Sequence, residues 1–446
     1  MILNNSPGFF TMMTQKITYD QCLDAMYGLR RFGIKLGLDV IGGILRTLDN
    51  PQDQYRSIHI AGTNGKGSIA VSLAAILQQA GLRVGLFTSP HLVRFNERIR
   101  VNGREISNNH MIDAYMAVTQ ANQGMREATF FEIATAMAFV EFDRQQVDIA
   151  VIETGMGGRM DATNIIEPMV SIISNISIEH RQHLGNTLTD IATEKAGIIK
   201  PAIPVVTGVR QKKAIAVIEK TADSKSAPCY RLGSAFRIRR LKNDRFNYYG
   251  LANTWRKIAT HLIGEHQPEN MALAMAACEL LNQQHLSITE DSIRKGLKNV
   301  HWPARLEVVS TDPYILLDGA HNLAAAHKLA TYLTTRLSDR KITLVIGILD
   351  DKPYRAMLSI LVPLANRVIV TRPSIGRAIP PETLAKAAKI YSQNIVTKPD
   401  VAEAVRYAIA TIGQNNAIVV AGSLYVAGEA IAYLNNDRPP DPGESG

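Results

Sequence analysis

Residues 62–68, Gly62-Thr63-Asn64-Gly65-Lys66-Gly67-Ser68, set one cation among three glycines and two hydroxyl side chains. That combination suits phosphate binding. Glycines let backbone N–H groups come close to phosphate oxygens, and the start of a helix favours negative charge. Lys66 would neutralise the terminal phosphates of a nucleotide, and Ser68 would offer a hydroxyl to a metal. An apolar run, Ile58-His59-Ile60-Ala61, leads into the segment. Residues 68–79 continue it as a helical pattern, with Ile69, Leu73, Ile76 and Leu77 on one face. Strand, glycine turn, lysine, hydroxyl and helix together predict an ATP site. The spacing departs from G-x-x-x-x-G-K-[ST], because Gly67 stands between Lys66 and Ser68.

Acids and histidines recur at the ends of other apolar runs, the positions at which open α/β sheets bind ligands. Glu153 closes the run 149–153 and is placed to hold Mg²⁺, directly or through water. The loop that follows, residues 154–164, is too glycine-rich and polar for a plain connector. One strand later comes His180; taken alone it reads as a surface loop histidine, and beside Glu153 and the cradle as a metal ligand. Ser89-Pro90-His91-Leu92 follows the strand after the cradle helix, and residues 96–100 continue that loop. Lys195 lies in a helical pattern, Glu194-Lys195-Ala196-Gly197, where an ordinary surface lysine is the plainer expectation. Asp318, in Asp318-Gly319-Ala320-His321-Asn322, suits a ribose hydroxyl, the orienting of a lysine, or capping of the next helix with Asn322.

These residues need a scaffold that brings strand ends together, and the hydrophobic pattern predicts one. Strand-like runs at 58–61, 84–88, 149–153, 170–175 and 205–209 alternate with helical patterns at 68–79, 131–144 and 188–199. Such alternation argues for a parallel, doubly wound sheet. Residues 229–262 have short strands and few helix signals, and are expected to form an antiparallel edge to the same domain. Helices follow at 268–281 and 290–297. A second series has strands at 314–317, 343–348, 367–371 and 417–421, with helices at 324–337, 354–364, 381–391 and 401–412. Residues 299–303 are expected to be a hinge, because Trp302-Pro303 disfavours a continuing helix. The fold class expected is α/β, with one domain over 1–302, a smaller one over 303–436, and a disordered tail at 437–446.

Composition narrows the classes. A chain of 446 residues has material for two or three domains. With 46% apolar and 20% charged residues it reads as a globular enzyme. A net charge of +9 fits anionic ligands, but the basic residues are scattered, so a solvated basic surface is at least as good a reading as a nucleic-acid groove. The three cysteines, Cys22, Cys229 and Cys278, have no CxxC spacing, so neither a zinc site nor a disulfide framework is expected, and a reducing cytoplasm is the simplest compartment. No apolar run reaches membrane-spanning length. Residues 1–14 do not form a secretory signal, and Met12 and Met13 offer alternative starts.

The order of motifs is itself informative: GTNGKGS at 62–68, SPHL at 89–92, TFFE at 129–132, ETGMGGRMDATN at 153–164, EKAGI at 194–198 and DGAHN at 318–322. The chain resembles folylpolyglutamate synthases and dihydrofolate synthases of the Mur ligase superfamily, from Leu36-Gly37-Leu38 to Gly422-Ser423-Leu424-Tyr425. The resemblance implies a P-loop ATP-binding N-terminal domain and a smaller Rossmann-like C-terminal domain. It implies that Thr63, Asn64, Gly65 and Lys66, in the segment that Gly67 and Ser68 complete, contact the triphosphate. Ser89, Glu153 and His180 would hold magnesium, so Ser68 and Ser89 stand as rival hydroxyl ligands. Asn270, Arg305 and Asp318 would contact the nucleotide. Thr129, Phe130, Phe131 and Glu132, with Met160, Asp161 and Ala162, would line the pterin side. Lys195 matches a lysine that is carbamylated in the family, and a K⁺ ion is a further option. Two positions depart from the family pattern: Glu179 stands where many relatives have aspartate, and Leu323 where a proline often follows HN.

The activity implied is ATP-dependent addition of L-glutamate to dihydropteroate and to reduced folates, through an acyl phosphate. Lys66, Glu153, His180 and Lys195 would be the catalytic group, with His321 orienting glutamate. The partners expected are these small molecules alone, with no nucleic acid and no membrane, and the chain is expected to be a monomer. Cell-wall precursor ligases carry a further domain before the cradle, and about sixty residues precede Gly62, too few for one. Two alternatives stay open: a single one of the two ligase activities, or a P-loop ATPase acting on another anionic partner.

Overall fold

The computed structural model describes residues 17–29, 37–124, 126–242 and 244–435. Residues 1–14 with Met12 and Met13, Leu36 at the start of the family resemblance, and the tail at 437–446 lie outside the described residues.

Eight strands form the large sheet: β1 (Arg56–Ala61), β2 (Val84–Phe87), β3 (Ile99–Val101), β4 (Arg104–Glu105), β5 (Ile149–Glu153), β6 (Val170–Ile173), β7 (Val205–Thr207) and β8 (Cys229–Arg231). Their order is β4-β3-β2-β5-β1-β6-β7-β8, parallel from β2 to β8, with β3 and β4 added antiparallel. The apolar runs are continuous because both faces of this sheet are covered. Ile58, Ile60, Ile149 and Val151 pack under helices Lys66–Gln79, Gln267–Gln283 and Glu290–Asn299. Phe87, Ala150 and Ile152 point the other way, against helices Phe130–Arg144, Asn108–Ala121, Tyr19–Gly28 and Asp39–Thr47. Each of the Ile, Val and Phe side chains contributes about 1.5–3 kcal/mol through burial. The C-terminal ends of β1, β2, β5 and β6 consequently meet on one edge, which is where the cradle, Ser89, Glu153 and Asn175 emerge.

Residues 229–262 differ from expectation. Only β8 extends the large sheet, and it does so in parallel. The rest is a separate antiparallel sheet of β9 (Arg237–Arg240), β10 (Arg245–Tyr249) and β11 (Thr254–Ala259), in the order β11-β10-β9. Phe246, Tyr248, Trp255 and Ile258 form its inner face against helix Gln267–Gln283. The buried Glu279 carboxylate fixes the β10–β11 turn. It accepts hydrogen bonds from the Tyr248 hydroxyl (2.7 Å), from the Leu251, Ala252 and Asn253 N–H groups, and from Asn253 Nδ2.

The third sheet comprises β12 (Glu307–Thr311), β13 (Tyr314–Leu317), β14 (Ile342–Ile346), β15 (Arg367–Val370), β16 (Ile395–Thr397) and β17 (Ala417–Ala421), in the order β12-β13-β17-β14-β15-β16. All are parallel except the edge strand β12. The fold is therefore α/β, a large mainly parallel sheet followed by a smaller Rossmann-like one. No described helix is long and apolar enough to cross a membrane.

Candidate active site

The cradle closes over the ends of β1 and β6. Gly62 has φ +147° and touches Ser174 so closely that a Cβ would lie 1.8 Å from its Oγ. Thr63 N–H donates to the Asn175 carbonyl (2.9 Å), and Asn64 N–H to Asn175 Oδ1 (3.1 Å). Ser174 Oγ and Asn175 Nδ2 both donate to the Asn64 carbonyl, at 2.8 and 2.7 Å. Gly65, at φ +88°, caps helix Lys66–Gln79, and a Cβ there would strike Asn270 Oδ1 at 2.6 Å. Asn270 thus sits directly against the loop, held by Gln267 through a 2.9 Å bond. Lys66 Nζ donates to the Gly62 carbonyl (3.0 Å) and stands 3.9 Å from Glu153 Oε1.

Ser68 and Ser89 occupy different surroundings. Ser68 is buried, and its hydroxyl meets Gln267 Nε2 at 3.4 Å. Ser89 follows β2 and lines a cavity with Glu153, Gly67, Arg100, Trp302 and Arg305. Glu153 ends β5 with Oε2 buried and without a hydrogen-bond partner. Burial pushes its carboxyl up to about 7, against the pull of Lys66, the Ser89 N–H, Arg305 and Arg98. An orphaned carboxylate oxygen beside a hydroxyl is a fitting place for a divalent cation. His180, at φ +43°, stands at the exposed start of helix Arg181–Leu184. Partial desolvation outweighs the pull of Glu179 and, with Lys352, Lys66 and Lys195, holds its pKa below the ordinary imidazole value, favouring the neutral form that binds metals. Among the described residues no three His, Cys, Asp or Glu side chains converge as a metal cluster. The Ser89, Glu153 and His180 set brings only two such side chains.

Lys195 is not the surface lysine of the plainer expectation: it is 1% exposed, and its Nζ lies 2.8 Å from Glu179 Oε1. Burial lowers its pKa against the pull of Glu179, and Lys66 lowers it further. Desolvation would raise Glu179, but Lys195 and Lys66 together hold it below the usual range. Lys66 therefore acts on Glu153, Glu179, His180 and Lys195 at once. Sequence reasoning missed the role of Glu179; its place two residues after Ser177 and before His180 was the available signal.

The aromatic side is built by a capping box, with Thr129 and Glu132 bonding each other's backbone N–H at the start of helix Phe130–Arg144. Glu132 also receives the Thr129 hydroxyl (2.8 Å) and Arg126 (3.1 Å), so its oxygens face the protein. Phe130 is buried, stacked on Tyr27 at 5.4 Å with the Arg98 guanidinium 5.2 Å above its ring. Phe131 is only half-buried and lies over Gly155, where a Cβ would come within 2.5 Å of its ring. Asp161 is buried and accepts from Met156 N–H (2.8 Å) and Thr163 N–H (3.0 Å), which folds the glycine loop on itself. Ala162 is buried, whereas Met160 is 38% exposed. Phe131 and Met160 are thus the two of these seven side chains free to face a ligand.

The second domain closes the cleft. Asp318 spends both oxygens on N–H groups, Leu306 (2.9 Å) and Ala320 (2.9 Å), pinning the segment after the linker to β13. Arg305 is thereby turned toward Gly319 and the cavity containing Glu153. The linker's Trp302 packs on Gly67, where a Cβ would meet its ring at 2.8 Å, and Arg100 lies 5.9 Å over that ring. His321 Nδ1 donates to the Gly319 carbonyl (2.8 Å), which leaves Nε2 as an acceptor; burial holds the ring neutral, at about 4. Asn322 caps helix Leu323–Arg336 and donates across the cleft to Asn64 Oδ1 (3.0 Å). Sequence reading found Trp302 only as a helix breaker and Asn322 only as a cap.

Two family models match the chain: the Mur ligase middle domain over residues 60–278, and the Mur ligase glutamate ligase domain over residues 304–424. The Bacillus subtilis protein named dihydrofolate synthase/folylpolyglutamate synthase is 37% identical over 420 residues, 91% of this chain and 97% of that one. The solved structure of E. coli FolC in complex with DHPP and ADP superposes with a TM-score of 0.88 at 27% identity, over 94% of this chain and 98% of that one. A bifunctional folylpolyglutamate synthase/dihydrofolate synthase from Yersinia pestis, complexed with AMPPNP and a Mn ion, gives a TM-score of 0.85 at 28% identity over the same shares. A likeness that runs through nearly the whole length places this chain in the dihydrofolate synthase/folylpolyglutamate synthase family of Mur ligases, which are ATP-dependent ligases.

Proposed function

We propose that this chain joins L-glutamate to dihydropteroate, giving dihydrofolate, and to folates, extending a polyglutamate tail. The observation that carries this is one cleft lined by Ser89, by Glu153 with its orphaned Oε2, and by Arg305 of the second domain, with Lys66 of the cradle 3.9 Å from Glu153 Oε1. A carboxylate is a poor electrophile, so amide formation needs activation. The pteroate or folate carboxylate attacks the γ-phosphorus of ATP, giving an acyl phosphate and ADP. The neutral amine of glutamate adds to the acyl carbon, and the tetrahedral intermediate collapses to amide and phosphate. With the Thr63 and Asn64 N–H groups spent on Asn175, the N–H groups of Gly65 and Lys66 orient the triphosphate, and the Lys66 side chain balances charge on the transferring phosphoryl group. Asn270 holds the loop from behind. Arg305 faces the same charge from the second domain, and Trp302 excludes water over Gly67. Magnesium, held by Ser89, Glu153 and His180, would supply further neutralisation at the phosphates. Phe131 and Met160 form the face for the pterin ring, and His321 Nε2 accepts a hydrogen bond from the incoming amine. Lys195, as an amine paired to Glu179, keeps Glu179 ionised beside Lys66; a carbamate on Lys195 would replace that pair with two like charges.

Dual activity is supported by the dual name of the Bacillus subtilis relative and by the dual name of the Yersinia pestis neighbour. Use of ATP and reduced folates, with Cys22 and Cys278 buried as free thiols, fits a reducing cytoplasmic setting. The test gives purified protein MgATP and L-glutamate with dihydropteroate or a reduced folate in parallel. ADP release with glutamylated product from both is expected. Product from only one would restrict the function to that activity, and product from neither would overturn the ligase reading.

A further inference from the structure

The hydrogen bond between Asn322 and Asn64 ties the phosphate cradle to the second domain, and its polarity is fixed. Ala325 N–H can only donate, and it donates to Asn322 Oδ1 (2.9 Å) at the start of the 14-residue helix Leu323–Arg336. That capping bond forces the Asn322 amide nitrogen to the other side, where it meets Asn64 Oδ1 at 3.0 Å. Asn64 is in turn held by its own backbone, which bonds Asn175 and Ser174. With Asn64 Oδ1 engaged, the end left for a ligand is its Nδ2, and no protein acceptor among the described residues takes it.

We infer that Asn322 is a positioning residue that sets the donor polarity of Asn64, so that the cradle presents an N–H₂ group to the nucleotide only when the second domain is docked. The order runs from the helix N–H of Ala325, through Asn322, to Asn64, each amide oriented by the one before it. An anionic triphosphate gains from a donor and is repelled by a carbonyl oxygen at the same place. Arg305 and Asn322 thus act on the cleft by different routes: Arg305 brings charge, while Asn322 brings none and acts only through Asn64. The inference rests on the nucleotide-binding reading given above and concerns residues of this chain alone.

Replacing Asn322 by serine separates the two roles of the side chain. Serine caps helices about as well as asparagine but is too short to reach Asn64. Asn322→Ser is expected to melt within about 2 °C of wild type while binding AMPPNP with magnesium about tenfold more weakly, the effect of one lost hydrogen bond to a charged ligand. Asn322→Ala is expected to melt earlier as well as bind weakly, and serine to restore only the melting. Asn322→Asp keeps the cap but invites Asn64 to turn its N–H₂ inward, and is expected to bind more weakly than the serine variant. Calorimetric titration of AMPPNP into folded wild type, Asn322→Ser, Asn64→Ala and the double variant decides the matter. On the Asn64→Ala background the serine substitution should change affinity less than twofold. Wild-type affinity in Asn322→Ser, or the same loss on both backgrounds, would overturn the inference. Failure of the wild type to make glutamylated product would refute the ligase reading and leave this binding result standing.

Discussion

Replacing Glu153 by glutamine should stabilise the metal-free protein while abolishing turnover, and the two effects have the same cause. The carboxyl is buried at the end of β5 with Oε2 unpartnered, and its pKa rises from 4.5 to about 7 in the folded chain. A carboxyl whose folded pKa lies above its unfolded value contributes stability that is fully present below pH 4.5 and is lost as pH rises through about 7. The rise from 4.5 to about 7 corresponds to about 3 kcal/mol. Glutamine cannot ionise, so it does not suffer this loss. In chelator-treated protein, Glu153→Gln and wild type should melt together at pH 4.5, and the variant should melt about 3 °C higher at pH 8.5. Adding magnesium with AMPPNP should raise the wild-type midpoint and leave the variant's nearly unmoved, since binding only the folded state stabilises it. A variant that melts below wild type at pH 8.5 without metal would refute the reasoning. It would mean that Lys66 and the Ser89 N–H, not desolvation, dominate the environment of this carboxylate.

The competing serines make opposite predictions: Ser89→Ala should raise the magnesium concentration needed for half-maximal AMPPNP binding by at least about tenfold, and Ser68→Ala should leave it unchanged. Titrating magnesium against nucleotide-dependent fluorescence checks both, and the reverse pattern would return the ligand role to Ser68. Gly155→Ala should push the Phe131 ring aside, since the added Cβ would lie 2.5 Å from it. The expected result is a KM for dihydropteroate raised about tenfold, an overpacking cost of about 1–3 kcal/mol, with KM for ATP unchanged; an equal rise in both would remove Phe131 from the pterin face. Glu279→Ala strips five hydrogen bonds from the β10–β11 turn and should destabilise by at least about 3 kcal/mol. Denaturant melts followed by emission of Trp255, which stacks on Tyr248 at 5.3 Å, check it, and an unchanged midpoint would contradict the hub assignment.

The parallel strands were legible because burial on two faces leaves uninterrupted apolar runs, as in Ile149-Ala150-Val151-Ile152. The independence of the three-stranded sheet was not. Its strands mix apolar with basic and polar residues without a steady period, a slip in register separates Phe246 from Tyr248, and what anchors it is Glu279, from a helix about thirty residues on. The edge strands Glu307–Thr311 and Ile395–Thr397 escaped notice for a related reason, the first being half-exposed and mixed in polarity and the second only three residues long. At the site, residue types placed the cradle and its acids, but not which atoms each would spend on the protein. Thr129 and Glu132 have the spacing of a capping box, which could have shown that Glu132 faces inward. Lys195 lies in a helix whose pattern looks exposed, and only the folded chain brings Glu179 to it at 2.8 Å. The bond from Asn322 to Asn64 spans 258 positions, a separation at which local pattern carries no information.

The central claim is that this cleft activates a carboxylate by phosphoryl transfer before glutamate attacks. The most direct measurement supplies dihydropteroate labelled with ¹⁸O in its carboxylate, together with MgATP and L-glutamate, and determines the isotope content of the inorganic phosphate by mass spectrometry. An acyl phosphate intermediate leaves one carboxylate oxygen on the phosphate, so each turnover should release phosphate carrying one ¹⁸O. Unlabelled phosphate accompanying full formation of the glutamylated product would contradict the account.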